Sequence, residues 1–339
     1  VAVRDAVAVR DADGAVPGGA VPGGAVPGGA PDEDAPGEAT PGDATPGEVT
    51  SGVRIEATGL QALVQDRGRP GYAALGVAES GAMDAAAAAQ ANELVGNPAD
   101  AALLESLGGG LRLAAVGDQV VAVTGADVPL EVTGAPVAHR PASDRPFALL
   151  DGQVLALGVP RRGLRAYVGV RGGLAAASAL GSRSTDLMSG EGPAPLASGD
   201  VVPVGTPPWP SIVGLPQAPT PLPGDHLDAH VRLGPRDDWF TPDALASLGE
   251  PRWVVREDSN RIGVRLDGEP LRRSRDGELP SEGAVAGSIQ VPTDGRPVIF
   301  LRDHPVTGGY PVIGVVRAAD VDLIAQLPPG ATIRFVVEE

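Results

Sequence analysis

Apolar and polar positions alternate over short spans through most of this chain. Val53-Arg54-Ile55-Glu56-Ala57 reads apolar, polar, apolar, polar, apolar, the period of a half-buried strand. Leu60–Gln65 follows as a second short strand and closes on Asp66-Arg67-Gly68-Arg69-Pro70-Gly71, a turn sequence. Residues Met83–Val95 break the pattern. They are alanine-rich, free of Gly and Pro, carry a capping candidate in Asp84 and are stopped by Gly96-Asn97-Pro98, so they predict a helix. Strand-sized pieces then resume at Ala102–Ser106, Leu111–Ala115, Gln119–Thr124, Phe147–Leu150, Val154–Leu157 and Arg165–Val170. Beyond a proline-rich stretch, strands are expected at Ala229–Leu233, Arg252–Arg256, Ile262–Leu266, Gly287–Val291, Val298–Leu301 and Thr332–Val337, with one short helix at Pro242–Leu248. Many short strands set apart by Gly, Asp and Pro predict a mainly β fold of barrels or sandwiches with few helices.

Composition divides the chain. In residues 1–50, AVPGG occurs three times, followed by a five-residue Pro-Gly-acid period, with nine acidic residues against two Arg. Such a segment offers little apolar surface to offset its ordering entropy, so a disordered acidic tail is expected. Residues 206–224 hold seven prolines and predict an extended linker at 206–225. Two globular parts remain, 51–205 and 226–339. They share an order of features: Asp66…Gly68-Arg69, Ser80-Gly81-Ala82 and an apolar strand in the first, Asp258…Arg261…Gly263, Ser281-Glu282-Gly283 and Val298–Leu301 in the second. A duplication is expected from this.

Several chemistries fall away. The 339 residues include no Cys, and all 26 basic residues are Arg. Disulfides, zinc–thiolate sites, a Walker-type phosphate loop, a Schiff-base lysine and a biotin-bearing lysine within the chain are excluded. The four His show no helical ligand spacing, so no metal site is expected. A net charge of −17 opposes nucleic-acid binding. With no long apolar run and no secretion signal, no membrane span and a cytoplasmic location are expected.

The densest candidate chemistry lies in the second part. Asn260-Arg261 sets a neutral amide beside a forked cation; it is either a holder of a carboxylate or carbonyl, or an ordinary turn with Arg covering a barrel end. Glu282 is either a general base or a solvated turn carboxylate, and Gln290 sits in an alternating strand nearby. Asp303-His304-Pro305-Val306-Thr307-Gly308-Gly309-Tyr310-Pro311 follows an apolar strand. Consecutive N–H groups at Thr307, Gly308 and Gly309 form either an anion nest or a tight turn. Gly181–Asp186 has the composition of an anion loop or of a capped turn. Ser80 lies in no nucleophile elbow, so a serine hydrolase is disfavoured.

Taken together these segments resemble one family. Gln65-Asp66-x-Gly68-Arg69-x-Gly71, Ser80-Gly81-Ala82-Met83-Asp84, Asn92-x-Leu94-Val95-Gly96-Asn97, Gly181-Ser182-Arg183-Ser184-Thr185-Asp186, Gly234-Pro235-Arg236-Asp237-Asp238-Trp239-Phe240, Asn260-Arg261-x-Gly263-x-Arg265, Ser281-Glu282-Gly283, Gln290-Val291-Pro292 and Thr307-Gly308-Gly309-Tyr310-Pro311 are similar, in order, to the KipA-type family. The same family takes in the C-type chain of 5-oxoprolinase, the biotin-dependent carboxyltransferases and the allophanate hydrolase subunit 2-like proteins. The resemblance spans about Val53 to Val337. It implies two tandem cyclophilin-like β-barrel domains, and two partners within 5-oxoprolinase, its KipI-like B-type chain and its A-type chain. It implies an ATP-dependent lactam hydrolase, active only with those partners, that opens 5-oxo-L-proline to L-glutamate. ATP would be a co-substrate shared with the partner subunits, and no biotin would be attached to this chain. The alternatives are a carboxyltransferase component of a urea-type carboxylase and a non-catalytic partner of a KipI-like kinase inhibitor. On the lactamase reading, Arg261, Glu282 and Asp303 are the catalytic candidates, and Asn260, Gln290, Thr307, Gly308, Gly309 and Tyr310 the substrate-binding ones.

Overall fold

A computed structural model describes residues 49–208, 210–250, 252–275, 277 and 279–338. The tail expected at 1–50 lies outside the described residues except for Val49 and Thr50.

The first half builds two antiparallel five-stranded sheets. Its elements are β1 (Gly52–Thr58), β2 (Gln61–Gln65), α1 (Ala85–Leu94), β3 (Leu103–Leu107), β4 (Leu111–Val116), β5 (Gln119–Asp127), β6 (Leu130–Thr133), β7 (Pro146–Leu149), β8 (Val154–Leu157), β9 (Arg162–Val170) and β10 (Val201–Pro203). One sheet runs β10-β1-β4-β8-β6 and the other β2-β3-β9-β5-β7. Alternation decides what each face does. Leu104 of β3 and Ala166 and Val168 of β9 point into a core shared by both sheets, with Ile55, Leu113, Val123, Val132 and Leu155. Their neighbours Leu103, Glu105, Arg165 and Tyr167 therefore point the other way. Helix α1 covers part of that outer face: Ala87, Ala88 and Ala91 pack on Leu103 and Tyr167, and Thr124 of β5 donates to Ala87 O at 2.6 Å. Asp84 caps the helix, accepting from Ala87 N at 2.9 Å, as its position predicts.

The second half comprises β11 (His226–Leu233), α2 (Pro242–Ser247), β12 (Trp253–Val255), β13 (Gly263–Asp267), β14 (Glu282–Gly283), β15 (Ser288–Gln290), β16 (Val298–Phe300), β17 (Thr307–Gly308), β18 (Val312–Val316), α3 (Ala318–Ile324) and β19 (Thr332–Glu338). Seven strands close a barrel in the order β11-β18-β15-β16-β13-β12-β19, sealed by the parallel pair β11–β19. Trp253, Phe335, Ile289, Ile299 and Ile313 fill it. Met83, from the turn before α1, is fully buried in this second core, so one side chain of the first half plugs the second. The architecture is mainly β with three α-helices among the described residues. The described part of 206–224 contains neither helix nor strand and lies along the first half, with Gly214 N on Leu94 O and Gln217 N on Asp144 O, each within 2.9 Å.

Candidate functional site

Turns of both halves meet where the halves join, and the outer-face residues Glu105 and Arg165 face them. Asp66, at the end of β2, is fixed first. Its carboxylate accepts from Gly68 N, Ser182 Oγ, Arg183 N and Ser184 Oγ at 2.6–2.8 Å. The anion that the Gly181–Asp186 segment holds is thus Asp66 itself. Gly68 lets this turn press against the next: at φ +85°, an added Cβ would stand 2.4 Å from Glu79 O. The adjoining Ser80 is held at φ +53°, strained for a residue with a side chain.

Arg261, in the β12–β13 turn, reaches across the seam from the barrel side. Its Nε and Nη2 donate to Asp303 at 2.8 and 2.9 Å, Nη2 also donates to Gly81 O at 2.7 Å, and Nη1 donates to Glu105 at 2.5 Å. The side chain is buried. Burial works against its charge, but Glu105 and Asp303 outweigh that and hold its pKa above the ordinary arginine value. Asp303 is saturated too, accepting in addition from Ser80 Oγ at 2.7 Å and from Leu187 N at 3.2 Å. Arg165 lies 3.7 Å from Glu105, giving a buried cluster of two cations and two anions. Burial lowers the Arg165 pKa, opposed by Glu105.

A second bolt runs the opposite way. Gln326, fully buried just after α3, accepts from Leu164 N and Arg165 N at 2.9 Å and donates to Asp84 and Arg165 O at 2.8 and 3.0 Å. Burial pushes the Asp84 carboxyl up to about 6, against the hydrogen bonds from Gln326 and Ala87.

The sequence candidates therefore separate. Arg261 and Asp303 form the seam cluster, and their hydrogen-bonding atoms are engaged by the protein itself; no open fork faces a ligand. Glu282, Gln290, Thr307, Gly308 and Tyr310 form a second group: β14 pairs with β17 (Glu282 opposite Gly308), and Gln290 Nε2 donates to Tyr310 O at 3.1 Å. The Glu282 carboxylate is gripped by the Arg236 fork, which lowers its pKa. The Tyr310 ring lies 5.6 Å from the Arg273 guanidinium carbon. The anion nest expected at Thr307–Gly309 is not formed. Thr307 and Gly308 belong to a strand, and neither Gly308 nor Gly309 has the left-handed φ that alternates in a nest. Asn260 turns back on its own loop, accepting from Ile262 N at 2.9 Å, and is exposed.

Three cavities lie along the seam. One of about 260 Å³ is lined by Asp66, Arg67, Ser80, Asn92, Arg302 and a wall of alanines. One of about 130 Å³ shares Arg302 and adds Glu79, Val285 and His304. The third, of about 490 Å³, shares His304 and adds Asp186, Ser189 and Thr307. Of the nine predicted site residues, Thr307 alone lines any of the three. His304 stacks on Phe300, and its Nδ1 lies 2.8 Å from Pro305 O, leaving Nε2 as an acceptor. Burial holds its pKa below the ordinary imidazole value. Among the described residues no cluster of three or more His, Asp or Glu is arranged to hold a metal ion, and no helix is long and apolar enough to cross a membrane.

Sequence reasoning missed Glu105, Gln326, Arg302 and the role of Ser80. Glu105 had a signal: an acid in the apolar strand Leu103-Leu104-Glu105, on the side opposite Leu104. Gln326 carried none.

The profile of the carboxyltransferase domain, subdomains A and B, matches residues 75–337. The C-type chain of 5-oxoprolinase from Escherichia coli is 35% identical over 84% of this chain and 90% of its own length. The urea amidolyase of Lachancea kluyveri is 32% identical over 83% of this chain but 17% of its own. Among solved structures, TTHA0988 superposes with a TM-score of 0.76 at 34% identity over 84% of this chain, which spans 55% of that one. The Kluyveromyces lactis urea amidolyase superposes at 0.78 with 31% identity over 86% of this chain and 19% of that one. The chain belongs to the carboxyltransferase domain family, as its subdomains A and B.

Proposed function

We propose that this chain is the C-type component of a heteromeric, ATP-dependent 5-oxoprolinase that opens 5-oxo-L-proline to L-glutamate. The observation that carries the reading is its match to a relative of that name over nine-tenths of the relative's length. A lactam carbonyl is a poor electrophile; phosphorylation of its oxygen removes the amide resonance and creates a leaving group. The chain has no lysine, so we assign the nucleotide mainly to the partners, a KipI-like B-type chain and an A-type chain, in the cytoplasm. The seam supports a site that partners complete. Its cavities open between loops of both halves, and Leu75, Met188 and Val285 stand exposed on those loops or beside them. Arg261 and Asp303 hold the loops in place, while Gln290 and Glu282 lie on the neighbouring strands and Tyr310 in the bend between β17 and β18.

The test is to co-purify the chain with candidate A-type and B-type partners and measure glutamate from 5-oxo-L-proline with and without ATP. ATP-dependent release that requires all three chains is the expected result. Assembly without any glutamate release would refute the reading and leave a binding partner of a KipI-like inhibitor. The urea amidolyase relatives favour a second reading, a carboxyltransferase component. Bicarbonate-dependent turnover with a separate biotinylated protein would select it.

A further inference from the structure

The cavity of about 260 Å³ between α1 and the segment after β16 is not used by any contact described so far. It sits just below the usual size of small-molecule pockets, ~300–1,000 Å³. Its wall is apolar and small, with Ala82, Ala85, Ala88 and Ala89 on one side and Leu103 behind. Asp66 and Asn92 line it but are engaged by the protein: Asp66 holds its serine loop, and Asn92 donates to Ala101 O and accepts from Asn97. Three polar groups remain.

Ser80 is 2% exposed. Its hydroxyl lies 2.7 Å from Asp303 Oδ1 and 3.2 Å from Thr185 O. Both are acceptors, so the single hydroxyl proton is committed to them and Ser80 offers the cavity only lone pairs. It reads a donor. Arg302 gives Nη2 to Asp322 at 3.1 Å, while its Nε has no partner among the described residues. Arg67 is exposed and makes no ion pair among the described residues. Of the charged groups lining the cavity, Asp66 is spent on its serine loop and Arg302 is shared with Asp322, so Arg67 is the cation left to draw an anion there, with Arg302 behind it.

We propose that this cavity binds a compact carboxylate with an N–H donor beside it, the chemistry of a lactam acid or a small N-acyl amino acid. Arg302 and Arg67 take the carboxylate, the N–H donates to Ser80 Oγ, and the alanines bound the apolar ring edge. Naming the ligand as 5-oxoproline rests on the function proposed above; the chemical class does not.

The experiment titrates the full chain, by calorimetry or ligand-observed NMR, with L-5-oxoproline, 2-pyrrolidinone (which lacks the carboxylate) and cyclopentanecarboxylate (which lacks the N–H). Only the first should bind appreciably. Ala89→Leu, a half-buried helix position whose larger side chain enters the cavity, should abolish binding at an unchanged melting temperature. Arg302→Gln should weaken it at least tenfold, and both should raise KM in the assembled enzyme at least tenfold. The proposal is overturned if either variant binds as the parent does, or if cyclopentanecarboxylate binds as well as the lactam. Normal glutamate release by an assembly carrying both substitutions would likewise sink this site while leaving the proposed function standing. An assembly that releases no glutamate, around a chain that still binds the lactam in an Ala89- and Arg302-dependent way, would do the reverse.

Discussion

Replacing Arg261 with Met tests whether the seam is held by charge. The substitution keeps length and apolar bulk but removes the cation that faces both Asp303 and Glu105. Those carboxylates are 0% and 3% exposed at the side chain, so water cannot replace it. At ~4 Å and an effective dielectric of ~20, each lost attraction is ~4 kcal/mol. The arginine's own desolvation cost disappears with it, and stranding a buried charge by removing one partner nets ~3–5 kcal/mol. That is a large share of a total stability of ~5–15 kcal/mol. With a urea m-value of ~2–3 kcal/mol/M, the unfolding midpoint should fall by ~1–2 M.

The double variant carries the stronger test. Asp303→Asn on top of Arg261→Met should recover part of the loss, because a stranded charge is removed. Urea melts of the single and double variants read both effects. A deficit below ~1 kcal/mol, or no recovery in the double variant, would show that the cluster is screened by solvent and that the seam is held by packing alone.

Asp84→Asn should flatten the parent's own stability slope. A native pKa near 6 means Asp84 favours the fold fully below ~pH 4 and loses that contribution as pH rises through 6; melts between pH 4 and 7 check it. Gln326→Ala leaves the N–H groups of Leu164 and Arg165 and the Oδ2 of Asp84 without partners. At ~1–3 kcal/mol for each unsatisfied group, it should cost at least ~2 kcal/mol by denaturation, and a neutral result would refute its role as a bolt. Gly308→Ala places a Cβ 2.4 Å from Gln290 Nε2, so that flexible amide must leave Tyr310 O. The loss should be ~1 kcal/mol, and it should shrink in a Gln290→Ala background if that hydrogen bond is its cause.

Most of the strands were legible because alternation is local. β1, β2, β5, β8, β9, β13 and β19 appear where the sequence places them, and α1 lies within Met83–Val95 with Asp84 as its cap. The omissions have physical reasons. β14 and β17 are two residues each and pair with one another, Glu282 opposite Gly308 and Gly283 opposite Thr307, across a separation that no local pattern records. β18 follows Pro311 directly, and α3 has no side-chain cap to announce it. At the site, the motifs were legible, but what their side chains face was not. Asn260-Arg261 looks the same in sequence whether its guanidinium faces a ligand or Glu105, 156 residues away.

That ambiguity follows from how the seam is made. A polar residue in a turn takes its meaning from what stands opposite, and here what stands opposite belongs to the other half: Arg261 against Glu105, Asp303 against Ser80, Gln326 against Asp84. Neither half alone satisfies these groups, since each would leave buried donors or carboxylates without partners, so each half is a condition for the other's loops. The same turns line the cavities, which ties the shape of the candidate site to the docking of the halves. A substitution that loosens the seam should therefore alter ligand affinity and stability together, whereas one that only fills a cavity, such as Ala89→Leu, should alter affinity alone.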